Sequence, residues 1–194
     1  MGNKTNPTGL RLGYNRFWNY TTNEKFPAEG LIYETYLRDI LLKNNYLPGK
    51  FYYHKTPHLL RISQNVTPLP NSTQPELKNL PIKLPDGIQL YWNLLEKPQH
   101  DAQSLAHFIS HCIKKDINYM QKLQTSKKNT KDPKGIRLKI SGRIRGAEMA
   151  QTEKHIIGTV PLNQLDIPLD EGKAEALTKY GIIGVHTTCY QNQF

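Results

Sequence analysis

The most constraining stretch of this chain is residues 136–145, IRLKISGRIR. Ile136, Leu138, Ile140 and Ile144 fall on one parity, and Arg137, Lys139, Ser141, Arg143 and Arg145 on the other. A strand sends successive side chains to opposite faces. This stretch is therefore predicted to be a strand with its apolar groups on a core and its cations on the opposite surface. A helix would mix the two sets around its circumference.

The charge distribution gives that surface its meaning. The 194 residues carry a net charge of +10. Residues 1–65 have nine Lys/Arg against four Asp/Glu, and residues 66–113 have three against four. Residues 114–145 have eleven against two, and residues 146–194 three against six. Nearly the whole excess thus sits in 114–145, with a smaller share in the N-terminal third. Like charges so concentrated oppose a compact state unless counter-charge arrives. A polyanion supplies it and releases condensed cations on binding. A nucleic acid is the expected partner; a solvated basic face and a membrane surface are the weaker readings.

Other classes drop out. No run of about 18 apolar residues exists, so a membrane-spanning helix is excluded. Two Trp, eleven Tyr and five Phe are too much aromatic matter for a wholly disordered chain. Cys112 and Cys189 make neither a disulfide framework nor a Cys-x-x-Cys knuckle.

Residues 1–30 lack a helical or strand period and interleave Gly, Pro and Asn with Lys4, Arg11, Arg16 and Lys25. They read as an extended arm that orders against a partner. Tyr14, Phe17, Trp18 and Tyr20 are either stacking groups for bases or anchors of the arm to its own domain, the latter preferred. Residues 31–44 have helical spacing and should stop before Pro48-Gly49. Short strands are expected at 51–54 and 59–63. Five prolines in 66–87 predict an irregular connector without helix or central strand. A strand follows at 88–95.

A long helix is predicted over 101–125, capped by Asp101. Its apolar stripe runs from Leu105 to Leu123, with Asp116 as a local conflict. Strands at 136–145, 151–160, 165–178 and 182–190 then suggest an antiparallel sheet with the helix on its inner face.

Candidate chemistry is sparse. His107 and His111 have metal-ligand spacing, but Cys112 points to the stripe and further ligands are not nearby, so surface histidines are the expectation. His54, His58, His100 and Asp101 could form an acid–base pair only if folding brought them together. Arg143 and Arg145 suit phosphate binding through forked guanidinium groups; pairing with Glu148 or Glu153 is the competing reading.

Three motifs carry a resemblance. The chain opens MGNKTNPTGLRLG, residues 141–153 read SGRIRGAEMAQTE, and GTVPL and YGIIGVH follow at 158–162 and 180–186. Together with IQLYWNLLEKPQHDAQSLAHFIS, these resemble the universal ribosomal protein S-three family of the small subunit. Gly2, Lys4, Pro7, Gly9, Arg11, Leu12 and Gly13 match its opening. Ser141, Gly142, Arg143, Gly146, Ala147, Glu148, Ala150 and Glu153 match its C-terminal signature. Gln151 replaces an Arg and His186 a usual Lys.

The resemblance implies an α+β protein in three parts. These are a 1–30 arm, a reduced KH-like half over 31–97 with the Pro-rich connector 66–87, and a 98–194 domain of one long helix on a four-stranded, mainly antiparallel sheet. No Gly-x-x-Gly occurs between 45 and 100, so KH-type gripping of RNA is expected to be lost. The implied role is a structural, non-enzymatic part of the small-subunit head that binds rRNA near where mRNA enters, beside neighbouring head proteins. No cofactor, metal, membrane or small-molecule substrate is implied. Cations expected to meet rRNA phosphate are Lys4, Arg11, Arg16, Lys127, Lys128, Lys131, Arg137, Lys139, Arg143 and Arg145. Where the family carries mRNA-unwinding arginines, this chain has Asn118 and Tyr119. Lys114, Lys115 and Lys122 remain as mRNA-channel candidates. The chain starts where the family starts, so no cleavable presequence is expected. Its richness in Asn, Ile, Lys and Tyr resembles organelle-encoded genes, and a mitochondrial matrix location is expected ahead of a plastid one. The rival expectations are a free RNA-binding regulator outside the ribosome and a nuclease using His54, His100 and Asp101.

Overall fold

A computed structural model describes residues 5–22, 28–56, 59–69, 77, 80–85, 87–115, 117 and 133–190. In chain order the elements are α1 (Pro7–Leu10), β1 (Tyr20–Thr21), α2 (Ala28–Lys43), β2 (Tyr46–Lys55), β3 (Leu60–Pro68) and β4 (Ile88–Leu94). They continue with α3 (Ala102–Lys114), β5 (Gly135–Gly142), β6 (Gln151–Gly158), β7 (Leu169–Thr178) and β8 (Gly181–Tyr190). The class is α+β, as expected. The chain divides into two compact units, residues 18–98 and residues 1–17 with 99–194.

In the 18–98 unit the sheet order is β1-β2-β3-β4. β2 and β3 pair antiparallel, while β1 runs parallel to β2 and β4 parallel to β3. Helix α2 closes one face. Its Leu37 and Leu41 are fully buried and belong to clusters that hold Phe51, Tyr53, Ile62 and Val66. Each such aliphatic side chain contributes about 1.5–3 kcal/mol when fully buried.

Helix α2 stops before Pro48-Gly49, as expected, while other expectations change in this unit. The chain turns at Asn44-Asn45, where Asn44 donates back to Ile40 and Asn45 takes a positive φ of 61°. Pro48 and Gly49 instead lie inside β2, at a register shift between Pro48 and Phe51. The strand β3 is central and runs to Pro68, three residues into the predicted connector. Pro68 is tolerated because it is the strand's last residue, opposite Tyr46. Residues 70–76, 78, 79 and 86 of the connector lie outside the described residues, and 81–85 have no regular secondary structure.

In the other unit all four strands pair antiparallel in the order β6-β5-β8-β7. Helix α3 lies on β7 and β8. Asp101 caps it through Oδ1, which accepts from Gln103 N at 3.2 Å. Leu105, Ile109 and Cys112 are buried, as are Leu138, Ile140, Ala176 and Val185 of the sheet. Polar staples fix the helix. Gln103 bonds both backbone groups of Lys173, and Ser110 donates to the Glu175 carbonyl at 2.7 Å. The close approach depends on Gly172: a Cβ there would lie 2.2 Å from the Ala102 carbonyl oxygen.

Helix α3 ends at Lys114, short of the predicted 125. Lys115 is its C-cap, and the Ile117 amide closes back on the Cys112 carbonyl at 2.9 Å. Asp116, the local conflict, and residues 118–125 of the predicted helix lie outside the described residues. Strand β5 ends at Gly142, not 145. Residues 144–146 form a 3-10 turn in which Arg145 has a φ of 54°. Arg143, Ile144 and Arg145 therefore leave the alternating pattern.

Candidate nucleic-acid interface

The outward face of the β6-β5-β8-β7 sheet follows from register. Leu138 and Ile140 face the core, so Arg137 and Lys139 face away. Lys139 stands opposite Lys154 on β6 and His186 on β8, and His186 stands opposite Lys173 on β7. Four strands thus present Lys154, Lys139, His186 and Lys173 as one exposed cross-strand row. With strands about 4.8 Å apart the row spans roughly 14 Å. Like charges directly opposite each other destabilise a sheet.

Carboxylates do little to relieve it. Among the described residues, Arg137, Lys139, Lys154, Arg143 and Arg145 form no ion pair, and Lys173 reaches only Glu171, at 3.8 Å. Glu153, a competing partner for the arginines, is engaged with His155 at 3.2 Å. The His186 pKa is lowered by burial first, then by Lys173 and Lys139, against a smaller opposing pull from Glu171 than from Lys173.

A second cationic group lies at the 143–147 turn. Arg143 donates from Nε to the Ala147 carbonyl at 2.7 Å, and its guanidinium carbon is 5.7 Å from the Tyr180 ring centre. Gly146, with φ of 80°, lets that ring lie flush against the turn: a Cβ would come within 2.9 Å of it. Arg143, Arg145, Lys114, Lys179 and Tyr180 line a cavity of about 400 Å³. Lys114 was expected in a different role from the arginines, and the fold brings them together.

The N-terminal arginines behave differently. Arg11 is fully buried. Its guanidinium donates to the carbonyls of Pro7 (2.9 Å), Ile167 (2.8 Å), Leu162 (3.2 Å) and Gln164. Burial and neighbouring Arg16 lower its pKa. Arg16 donates to the Leu169 carbonyl at 3.1 Å and lies 3.9 Å from buried Asp170. Both arginines pin the arm to the 162–170 segment, with their donors turned inward. Tyr14 helps, donating to Asp166 at 2.9 Å. Tyr20 packs near Phe51 and Tyr53. The anchoring role fails for Phe17 and Trp18, which are 91% and 64% exposed.

Lys115 is exposed at the end of α3. Lys4, Lys122, Lys127, Lys128 and Lys131 lie outside the described residues. Asp101 is buried as a helix cap, and His54 shares a 2.6 Å hydrogen bond with Thr21, so both have structural uses. No group of three metal-ligating side chains occurs among the described residues. Sequence reasoning missed Lys154, Lys173 and Lys179. The first two show no local signal, because only strand register aligns them with Lys139.

Comparison with known proteins agrees with this architecture. Residues 109–188 match the model of the ribosomal protein S3 C-terminal domain. The small ribosomal subunit protein uS3 of Clostridium botulinum (strain Hall) is 32% identical over 208 residues, covering all of this chain and 93% of the relative. That of Clostridium novyi is 31% identical, covering all of this chain and 94% of the relative. That of Methylococcus capsulatus is 27% identical over 210 residues, covering all of this chain and 92% of the relative. With its two four-stranded sheets and its full-length match to these relatives, this chain belongs to the uS3 family of small ribosomal subunit proteins.

Proposed function

We propose that the chain is a structural, non-catalytic constituent of the small-subunit head that binds rRNA through the outward face of its C-terminal sheet. The observation that carries this is the in-register row Lys154, Lys139, His186 and Lys173, with Arg137 beside it; among the described residues only Lys173 of these has an ion-pair partner, Glu171 at 3.8 Å. A protein keeps such a row at a cost to its own stability when a polyanion completes it. The turn cluster of Lys114, Arg143, Arg145 and Lys179 is a second phosphate-binding group, placed on the side of the molecule where α3 ends. We assign it, with Lys115, to the channel through which mRNA enters. The composition supports a mitochondrial ribosome, although the relatives above are bacterial.

Two measurements test the proposal. In filter binding to small-subunit rRNA, about six phosphate contacts give a slope of log K against log salt on the order of −4 to −5. A slope near zero would refute phosphate binding. Sucrose-gradient sedimentation of mitochondrial lysate should place the chain with small subunits; a soluble pool instead would favour the free-regulator reading.

A further inference from the structure

The cationic row does not lie on an open plain. Between it and the N-terminal arm is a cleft of about 530 Å³. Its floor is two cross-strand rows, Lys139–His186–Lys173 and Arg137–Thr188–Glu171. Its far wall carries apolar Pro7, Leu10 and Leu162. The buried Arg11 guanidinium holds this wall in place by bonding the carbonyls of both Pro7 and Leu162.

We infer that this cleft accepts a single unstacked ribonucleotide of the bound RNA, rather than the backbone of a duplex. This rests on the RNA-binding reading above and specifies it. Three features fit a nucleotide together. The volume falls within the range of about 300–1,000 Å³ typical of ligand pockets. Lysine and arginine donors on the floor suit a phosphate, and the aliphatic wall suits the face of a base. Glu171 supplies the third feature. Its Oε2 is buried and has no hydrogen-bond partner among the described residues, while Oε1 lies 3.8 Å from Lys173 Nζ. A buried carboxylate oxygen without a donor costs stability until one arrives. An exocyclic amino group or a ribose hydroxyl is such a donor, and a phosphate is not. A carboxylate in a cleft that otherwise attracts phosphate therefore reads the nucleoside half of the ligand. Bases splayed out of a helix are the usual targets of sequence-specific RNA recognition.

The test uses the full chain and three probes: a blunt RNA duplex, the same duplex with one unpaired adenosine, and adenosine monophosphate. The bulged RNA should bind about tenfold more tightly than the duplex. Glu171→Gln and Leu10→Trp should each erase that preference. Duplex affinity should hold in Leu10→Trp and hold or rise in Glu171→Gln, which removes a negative charge beside Lys173; Glu171→Gln serves if Leu10→Trp fails to fold. Equal affinity for the two RNAs, or a preference that survives both variants, overturns the cleft assignment while phosphate binding stands. Binding of neither RNA removes the RNA-binding reading as well. Saturation by adenosine monophosphate alone in the micromolar range would make a free nucleotide the ligand and also overturn the proposal.

Discussion

Lys139 and His186 stand directly opposite one another on β5 and β8, and a lysine flanks each of them on the outer strands. The histidine therefore sits between Lys139 and Lys173 in a row otherwise made of ammonium groups. Burial and the two lysines favour its neutral form in the free protein, and a phosphate bound at the row would favour the protonated form.

The first prediction concerns pH. The His186 pKa is held below its ordinary value of 6.5. A histidine depressed in this way takes up its proton more readily in the unfolded chain. Its contribution to stability is therefore flat above pH 6.5 and declines as pH falls below it. Bound phosphate reverses the bias, so RNA affinity should rise as pH falls from 7.5 to 6. In His186→Lys the affinity should be higher at pH 7.5 and that pH dependence lost. Anisotropy titrations at fixed salt check both; an unchanged pH profile in the variant would exclude His186 from the interface.

Reversing Lys139 should separate stability from function. In Lys139→Glu the repulsive cross-strand pair with Lys154 becomes attractive. The free protein should gain about 0.2–1 kcal/mol, read in urea unfolding at pH 7.5. RNA affinity should fall, and the salt slope should shrink by about 0.7–0.9 for the lost contact. A variant both less stable and normal in binding would contradict the role given to the row.

Arg11 should behave as an architectural residue. Arg11→Ala leaves four carbonyls without their charged donor and opens space beneath the arm. The expected loss is about 2–4 kcal/mol of stability. The salt slope of the folded fraction should be unaltered, because Arg11 is fully buried with its donors spent on carbonyls. A reduced slope with normal stability would return it to the RNA-facing set.

At Gly172 the sheet backbone comes up against the start of α3. Gly172→Ala would place a methyl 2.2 Å from the Ala102 carbonyl oxygen, where backbone alone can yield. Destabilisation of about 2–4 kcal/mol is expected in denaturant unfolding. The 18–98 unit provides the comparison, and its Leu37→Ala variant should lose a similar amount by leaving a cavity.

Much of this was legible in the linear chain. The alternation at 136–140 sorted core from surface correctly, because a strand's side-chain period is a local property. The stripe Leu105–Ile109–Cys112 likewise told which face of α3 is buried. The arm's arginines could not be read this way. In the sequence Arg11 and Arg16 stand among Gly, Asn and Lys, with nothing local to separate them from the other cations expected to meet RNA. Only the fold brings the carbonyls of Leu162, Gln164, Ile167 and Leu169 to their guanidinium groups. The break after Gly142 was hidden for a related reason: the Arg143–Arg145 parity continues through a turn that changes its direction.

The amino-acid order by itself determined the α+β class, the concentration of positive charge and the apolar side of α2, α3 and β5, since periodicity and net charge act within a few residues of chain. Tertiary structure alone decided which cations stand together. Lys139, Lys154, His186 and Lys173 are separated by up to 47 positions, and strand register places them in one row. It also decided that Arg11 faces inward, because a buried guanidinium is stable only where distant carbonyls converge on it.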